Sequence, residues 1–598
     1  MKKSIYCFKI LFLMILFIQV SYGQKKSPSY FFTVSMERPN THYYHVELQC
    51  DGIKGDNIEF KMPIWTPGYY LAMDYAKYVI NFNAKDESGN ILPVERSSRN
   101  GWKIKNGKLS SFKIGYDVFA YNHSVADSYL DDFQGFISPT GVFIYPAGGI
   151  KNQVKVHIVP FKNWTKITTG LDNIANEPNT FYASDFDVLY DSPILIGNQE
   201  VISFNVNGIP HELAGSSLGK YDKDEVISFL TKIVLTATDM MGEIPYTHYA
   251  FIVIGPGGGG LEHLNSMAIT LSPNNLSGPA LKTTLPFMCH EYFHNFNVKR
   301  IRPINLGPFD YDNESFTNML WVSEGFTVYY EGMVLLRAGL MTRQEFFDLI
   351  SACVNRYESV PGHLFESATE SSFNTWLEFF NRNPNSSNTT ISYYDKGAAL
   401  GLLLDCKIRF ETKNNKSLDD VMRTLYEKFY KEKKRGFTDK EFQNVCEETA
   451  GCSLQEIFDY ASTVEKVDYN KYLSLAGLQI DSELQETKGA YLGASVQDQQ
   501  GSVIVSSIDF NSPAYNSDLS IQDEIIALDN NRITARNFNE IINQHKPGDK
   551  IKLTFSHRGK INNLEIILDK NLKATYKITP VEKLTPLQET ILKGFSQN

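Results

Sequence analysis

The chain reads as a multidomain α+β protein, and three observations predict it. Its 598 residues are too many for one hydrophobic core and fit about three or four domains. From Ser29 to about Ile209, short runs alternate apolar and polar side chains between Gly, Asn or Pro, as half-buried strands do. From Lys223 the period lengthens to that of amphipathic helices, and beyond about residue 485 short strands return. The expected divisions are a leader at 1–23, an N-terminal antiparallel β domain at 24–212, a mostly helical domain at 213–478, a small β domain at 485–572 and a polar tail at 573–598 that ends in a short helix.

The leader has the parts of a secretory signal. Lys2 and Lys3 supply positive charge, Ile10 to Ile18 an apolar core, and Ser21-Tyr22-Gly23 a small-residue cleavage site. No other segment has the apolar length of a membrane span. The expectation is therefore an exported chain, periplasmic or secreted. A net charge of −10 argues against a nucleic-acid partner.

Within the β domain the expected strands are Tyr30 to Met36, His42 to Cys50, Asn57 to Met62, Val154 to Val159 and Glu200 to Val206. The aromatic turn Trp65-Thr66-Pro67-Gly68-Tyr69-Tyr70 has two readings. Local packing is the simpler one; the other is a loop pressed against the helical domain. The helical domain is expected to open with a helix from Lys223 to Met241 and a buried strand from Tyr249 to Ile254. Later helices are expected at Arg343 to Tyr357, Phe373 to Phe380, Asp395 to Phe410, Ser417 to Tyr430 and Thr438 to Ala450.

Its chemistry is concentrated in His290-Glu291-Tyr292-Phe293-His294. Pro286 suits the first turn of a helix, on which His290 and His294 stand one turn apart and can reach a single ion. Glu291, on the flank of that face, reaches a water instead. Two imidazoles to bind a metal and a carboxylate to take a proton are the parts of a zinc hydrolase. With 12 His in the chain, such a spacing arises by chance in roughly one chain in a hundred, so a third ligand is needed. Glu324, in Trp321-Val322-Ser323-Glu324-Gly325-Phe326-Thr327 at the head of another amphipathic run, is the best candidate.

Three further segments bear on the site. Gly255 to Gly260 lets backbone approach a ligand, and an extended edge at Gly259 and Gly260 can pair with a peptide. Glu262 then presents a carboxylate to a free α-amine, or is an ordinary surface glutamate. Ser392-Tyr393-Tyr394-Asp395-Lys396-Gly397 opens a helix with two phenols, either packing residues or donors to an oxyanion. Lys299, Arg300 and Arg302 either complement a helix C-terminus or reach a carboxylate near the site. Six cysteines follow the leader without the spacing of a disulfide framework; Cys446 and Cys452 are near enough to pair, and Cys289 reads as a buried thiol.

Taken together, HEYFHNFNVKRIRP, WVSEGFT, GGGGLEH and YYDKG resemble the glycyl aminopeptidase family of gluzincin metallopeptidases, across nearly the whole mature chain. The resemblance implies a thermolysin-like catalytic domain and one zinc per chain on His290, His294 and Glu324. It further implies Glu291 as general base, Tyr394 as oxyanion donor, Glu262 as holder of the substrate α-amine, and a preference for N-terminal Gly or Ala. The region from Gly489 to Lys570 resembles a PDZ domain, whose Leu492 and Gly493 amides suit a peptide C-terminal carboxylate or the protein's own chain. Two departures stand out: Ser517-Asp518-Leu519 and Gln522-Asp523 replace glycine-containing turns. The activity this implies is removal of N-terminal residues from peptides with a free N-terminus. The alternatives are an endopeptidase with the same zinc chemistry, or a peptide-binding protein with little catalysis.

Overall fold

The computed structural model describes residues 28–482 and 484–597; the signal-like stretch lies outside them. The chain divides into two compact units: the described residues up to Ile64 with Asp74–Gln199, and Trp65–Met73 with Glu200–Asn598. The first division therefore falls at Gln199 rather than near residue 212.

The first unit is the expected β domain, with an eight-stranded sheet and two four-stranded sheets. Alternation places Tyr30, Phe32 and Val34 of Ser29–Ser35 inside. Pairing is antiparallel except that Ser29–Ser35 runs parallel to Val154–Val159.

The second unit begins with a five-stranded sheet: β1 (Glu200–Val206), β2 (Ile209–Gly215), β3 (Tyr249–Val253), β4 (Gly260–Glu262) and β5 (Ser266–Ile269), in the order β1-β2-β3-β5-β4. β1 and β2 belong here because β2 pairs in parallel with β3. The crossover is helix α1 (Lys223–Met241), as expected; Asp222 caps its first amides and Gly242, at φ 99°, ends it. β4 lies at the sheet edge, as its glycines suggested.

Four more helices build the site: α2 (Gly278–Phe293), α3 (Gly325–Arg337), α4 (Arg343–Ser359) and α5 (Tyr393–Glu411). α2 corrects one expectation. It starts at Gly278, with Pro279 in its first turn, so Pro286 lies inside the helix and costs it one backbone hydrogen bond. The helix expected from Phe373 to Phe380 is instead two short ones, Ala368–Phe373 and Thr375–Glu378. α3 and α5 touch backbone to backbone. A Cβ on Gly325 would lie 2.5 Å from the Gly397 Cα, and one on Gly397 would lie 2.9 Å from the Gly325 Cα and overlap the Trp321 carbonyl. Tyr329 donates to Asp405 of α5 at 2.7 Å, so the approach is also bonded, and Arg337 donates at 2.7 Å to Asp419 on the following helix, Leu418–Leu425.

The PDZ-like region has its own core, including Leu492, Val505, Leu528 and Leu553. Gln522 takes φ 74°, so a side chain occupies the left-handed turn where glycine was expected. After it the chain pairs Lys577–Pro580 with Leu478–Asp481 and ends in α6 (Pro586–Phe595), whose Phe595 packs on Phe346 and Phe347. The six cysteines of the described residues are free thiols, Cys446 and Cys452 included. No helix among the described residues is long and apolar enough to cross a membrane.

Gly397→Ala tests the helix approach. An alanine normally stabilises a helix over glycine by about 1 kcal/mol. Here the overlap with the Trp321 carbonyl costs about 3 kcal/mol, which exceeds that gain. The expected result in calorimetry is a lower melting temperature.

Candidate active site

His290 lies in the last turn of α2 and His294 is its C-cap, so the two imidazoles lie one turn apart, with ring centroids 4.6 Å apart. Glu324 caps α3, and its Oε2 lies 3.5 Å from His290 Nε2 and 3.2 Å from His294 Nε2. All three expected ligands therefore converge.

The opposite ring nitrogens are already committed. His294 Nδ1 bonds the Asn297 carbonyl at 2.6 Å, and because a carbonyl only accepts, this nitrogen carries the proton. His290 Nδ1 meets Glu331 Oε2 at 2.9 Å. That leaves both Nε2 atoms on the Glu324 side, as the positions a metal would take. Glu331 lies two turns beyond Glu324 on α3, hence on the same face. The Asn297 amide donates to the carbonyls of Val322 and Ser323 and to Thr327 Oγ1, tying the histidine turn to the residues around Glu324.

Charge supports the same conclusion. Burial raises the Glu324 carboxyl, but the two imidazoles outweigh it and hold it well below the usual carboxylate range. Burial lowers both imidazoles, yet Glu324 raises them both, and Glu331 adds to this at His290. Glu291, also buried, is pushed up to about 7 by desolvation. Glu262, Glu291 and Glu324 are buried and Glu331 partly so, an acidic cluster whose charge a divalent cation would balance. The donor set, two imidazoles and a carboxylate, suits zinc.

Around this centre the remaining expected residues gather. A Cβ on Gly260 would overlap Glu291 Oε1, so the β4 backbone passes directly over the expected base. Gly259 is held through its carbonyl, which accepts from Thr270 N at 3.1 Å and Oγ1 at 3.0 Å. Glu262, the last residue of β4, brings a carboxylate oxygen within 4.8 Å of ligand atoms of Glu291 and His294. It is not a surface residue. Lys299 Nζ lies 3.5 Å from its Oε1, so of the two readings for the basic run the second describes Lys299. Arg300 instead donates to the carbonyls of Leu264, Asn295 and Pro245. Tyr394 lies with its ring centroid 6.3 Å from that of His290, and burial followed by Glu324 keeps its phenol protonated and able to donate.

Glu331, Asn297 and Tyr70 were not expected here. Glu331 was readable as a second acid seven residues after Glu324; Asn297 carries no local signal, and Tyr70 stood in the aromatic turn whose second reading was a loop pressed against the helical domain. Tyr70 overturns the local-packing reading of the aromatic turn, because residues 65–73 belong to the second unit.

Comparisons with known proteins agree with this geometry. The family model for the Peptidase M61 N-terminal domain matches residues 31–198, that for M61 glycyl aminopeptidase residues 283–400, and that for the PDZ domain residues 490–568. The chain is similar to a solved aminopeptidase N family protein from Idiomarina loihiensis, at 28% identity over 95% of this chain and 100% of that one, with a TM-score of 0.87. A remoter likeness, at 11% identity and a TM-score of 0.47, links 75% of this chain to 96% of an M1 zinc metallopeptidase from Deinococcus radiodurans. No curated protein matches.

Removing the partner of His290 tests the construction. Glu331→Ala is expected to weaken zinc about 10- to 100-fold in a chelator competition, with all three ligands retained.

Proposed function

We propose that this zinc metallopeptidase, whose domains are those of the M61 glycyl aminopeptidases followed by a PDZ domain, is an exported aminopeptidase that removes N-terminal Gly or Ala from peptides. The observation that carries the reading is Glu262. A second buried carboxylate, beyond the metal-binding set, ends an edge strand beside Glu291, and its Oε1 accepts no hydrogen bond among the described residues. A carboxylate so placed suits a substrate ammonium.

His290, His294 and Glu324 would hold one zinc ion. When bound, zinc supplies Lewis acidity to the scissile carbonyl and acidifies the attacking water. The free edge of β4 aligns the substrate backbone, and Glu262 accepts from its α-ammonium. That anchor sets the cut one residue from the N-terminus. Glu291, raised toward neutrality by burial, takes the water proton and passes it to the leaving amine. The Tyr394 hydroxyl donates to the oxyanion as it forms.

The leader supports export. In the PDZ domain, Ala494–Gln499 is an edge strand, and no described segment pairs with its outer side. That favours a peptide over the protein's own chain. Leu492 and Gly493 precede this strand, their carbonyls held by Ala514 and Asp509 amides at 2.9 and 2.8 Å. The PDZ partner is then a peptide C-terminus.

Two measurements test the mechanism. Glu291→Gln should keep stoichiometric zinc while kcat on an Ala-anilide falls about 10²–10⁴-fold; undiminished turnover would remove Glu291 from its role. Glu262→Ala should raise KM for free-amine peptides at least about tenfold, the worth of a charged hydrogen bond, and leave blocked peptides unaffected. Equal effects on both would support the endopeptidase reading.

A further inference from the structure

A buried asparagine joins the PDZ domain to the helical region. Asn388, in the short helix Ser386–Thr389, is 4% exposed. Its Nδ2 donates to the Ile508 carbonyl at 2.7 Å and to Asn385 Oδ1 at 2.9 Å, and its Oδ1 accepts from the Phe510 amide at 2.9 Å. A carboxamide carries donor and acceptor in one plane, so it can hold a backbone carbonyl and a backbone amide together. Beside it the Phe365 and Phe510 rings meet edge to face at 5.0 Å.

Both ends of this link lead to functional groups. Asp509, between the two residues that hold Asn388, donates its amide to the Gly493 carbonyl at 2.8 Å and accepts from the Tyr491 hydroxyl at 2.7 Å. The loop assigned to a peptide C-terminus is therefore bonded to the same turn. In the other direction the chain runs from Asn388 to Tyr394 with little slack. Thr390 donates from N and from Oγ1 to the Ser386 carbonyl, both at 2.8 Å. A Cβ on Gly362 would lie 2.1 Å from the Thr390 carbonyl oxygen, so backbone packs on backbone there. Ile391 donates to Glu366 Oε2 at 2.8 Å and accepts from Ser371 Oγ at 2.9 Å. Ser392 then caps α5, its Oγ accepting from the Asp395 amide at 3.2 Å. A segment bonded at successive residues moves as one body, so a shift at Asn388 is passed to the first turn of α5.

We infer that Asn388 is a positioning residue for the reaction: docked on the PDZ backbone, it fixes where α5 begins and so where the Tyr394 hydroxyl stands, which makes the PDZ domain part of the catalytic apparatus. Two other contacts brace that turn, Thr375 Oγ1 with the Tyr393 hydroxyl at 3.0 Å and Arg356 with Asp395 at 2.6 Å. Asn388 alone of these braces bonds to the PDZ domain. An oxyanion donor acts over a few tenths of an ångström, because it must meet an oxygen that carries charge only in the transition state. Misplacing it therefore lowers kcat and leaves KM in place. The inference rests on Tyr394 as the oxyanion donor.

The test is a double-mutant cycle in the full zinc-loaded chain on an Ala-anilide, with zinc content measured throughout. Asn388→Ala should lower kcat at least about tenfold, with KM and zinc unchanged, as expected for a displaced catalytic group. Tyr394→Phe should lower kcat about 10²–10³-fold. In the Tyr394→Phe chain, Asn388→Ala should then cost nothing further, because the group through which it acts is gone. An unchanged kcat in Asn388→Ala, or an equal loss in both backgrounds, overturns the inference and leaves the aminopeptidase reading intact. An undiminished kcat in Tyr394→Phe removes Tyr394 from its proposed role and the inference with it. Should Asn388→Ala fail to fold, Asn388→Asp keeps the acceptor for the Phe510 amide and loses the donor to Ile508. Its smaller loss of kcat should vanish in the Tyr394→Phe chain in the same way, and persistence of that loss overturns the inference.

Discussion

Glu324 and Tyr394 reach one site because the helices behind them meet at backbone distance. Gly325 directly follows the carboxylate ligand, and Gly397 lies one turn after the phenol. Neither can carry even a methyl group without displacing the other helix or the Trp321 carbonyl. Hydrogen bonds from Tyr329 to Asp405 and from Arg337 to Asp419 then hold α3 in place, so the spacing between ligand and oxyanion donor is set by rigid elements.

On that frame the site concentrates negative charge in a dry environment. Buried carboxylates are tolerated only when paired, and here the pairing is divided. Lys299 answers Glu262, the imidazoles answer Glu324 and Glu331, and a bound dication would complete the balance. Desolvation has a second consequence, for it lifts Glu291 to about 7, where a carboxylate gives and takes protons most readily near neutral pH. The same burial that makes the cluster costly alone makes it reactive when loaded.

The glycines of the chain divide into two kinds. Gly325, Gly397 and Gly260 permit close approach: the first two bring helices together, and the third brings β4 over Glu291. Gly68 does both jobs, supplying a left-handed turn and touching Glu262. At Gln522 the chain instead accepts a side chain in a left-handed turn, so the PDZ fold tolerates the departure that its sequence showed.

What the sequence by itself determined was whatever depends on near neighbours along the chain. His290, Glu291 and His294 were legible because helical geometry turns a four-residue spacing into one face, and the α1 boundaries because Asp222 and Gly242 are local caps. Pro286 misled because the packing that sustains a helix through a proline is not local. Glu324 and Tyr394 were found from motifs, yet their convergence on the histidines is a matter of two helices touching. Only the tertiary structure decided that Asn297 orients His294, that Lys299 faces Glu262, and that the turn at residues 65–73 leaves its own β unit to pack beside the catalytic carboxylates. Such contacts join residues far apart in the chain, and no periodicity in a linear sequence encodes a distance that only folding closes.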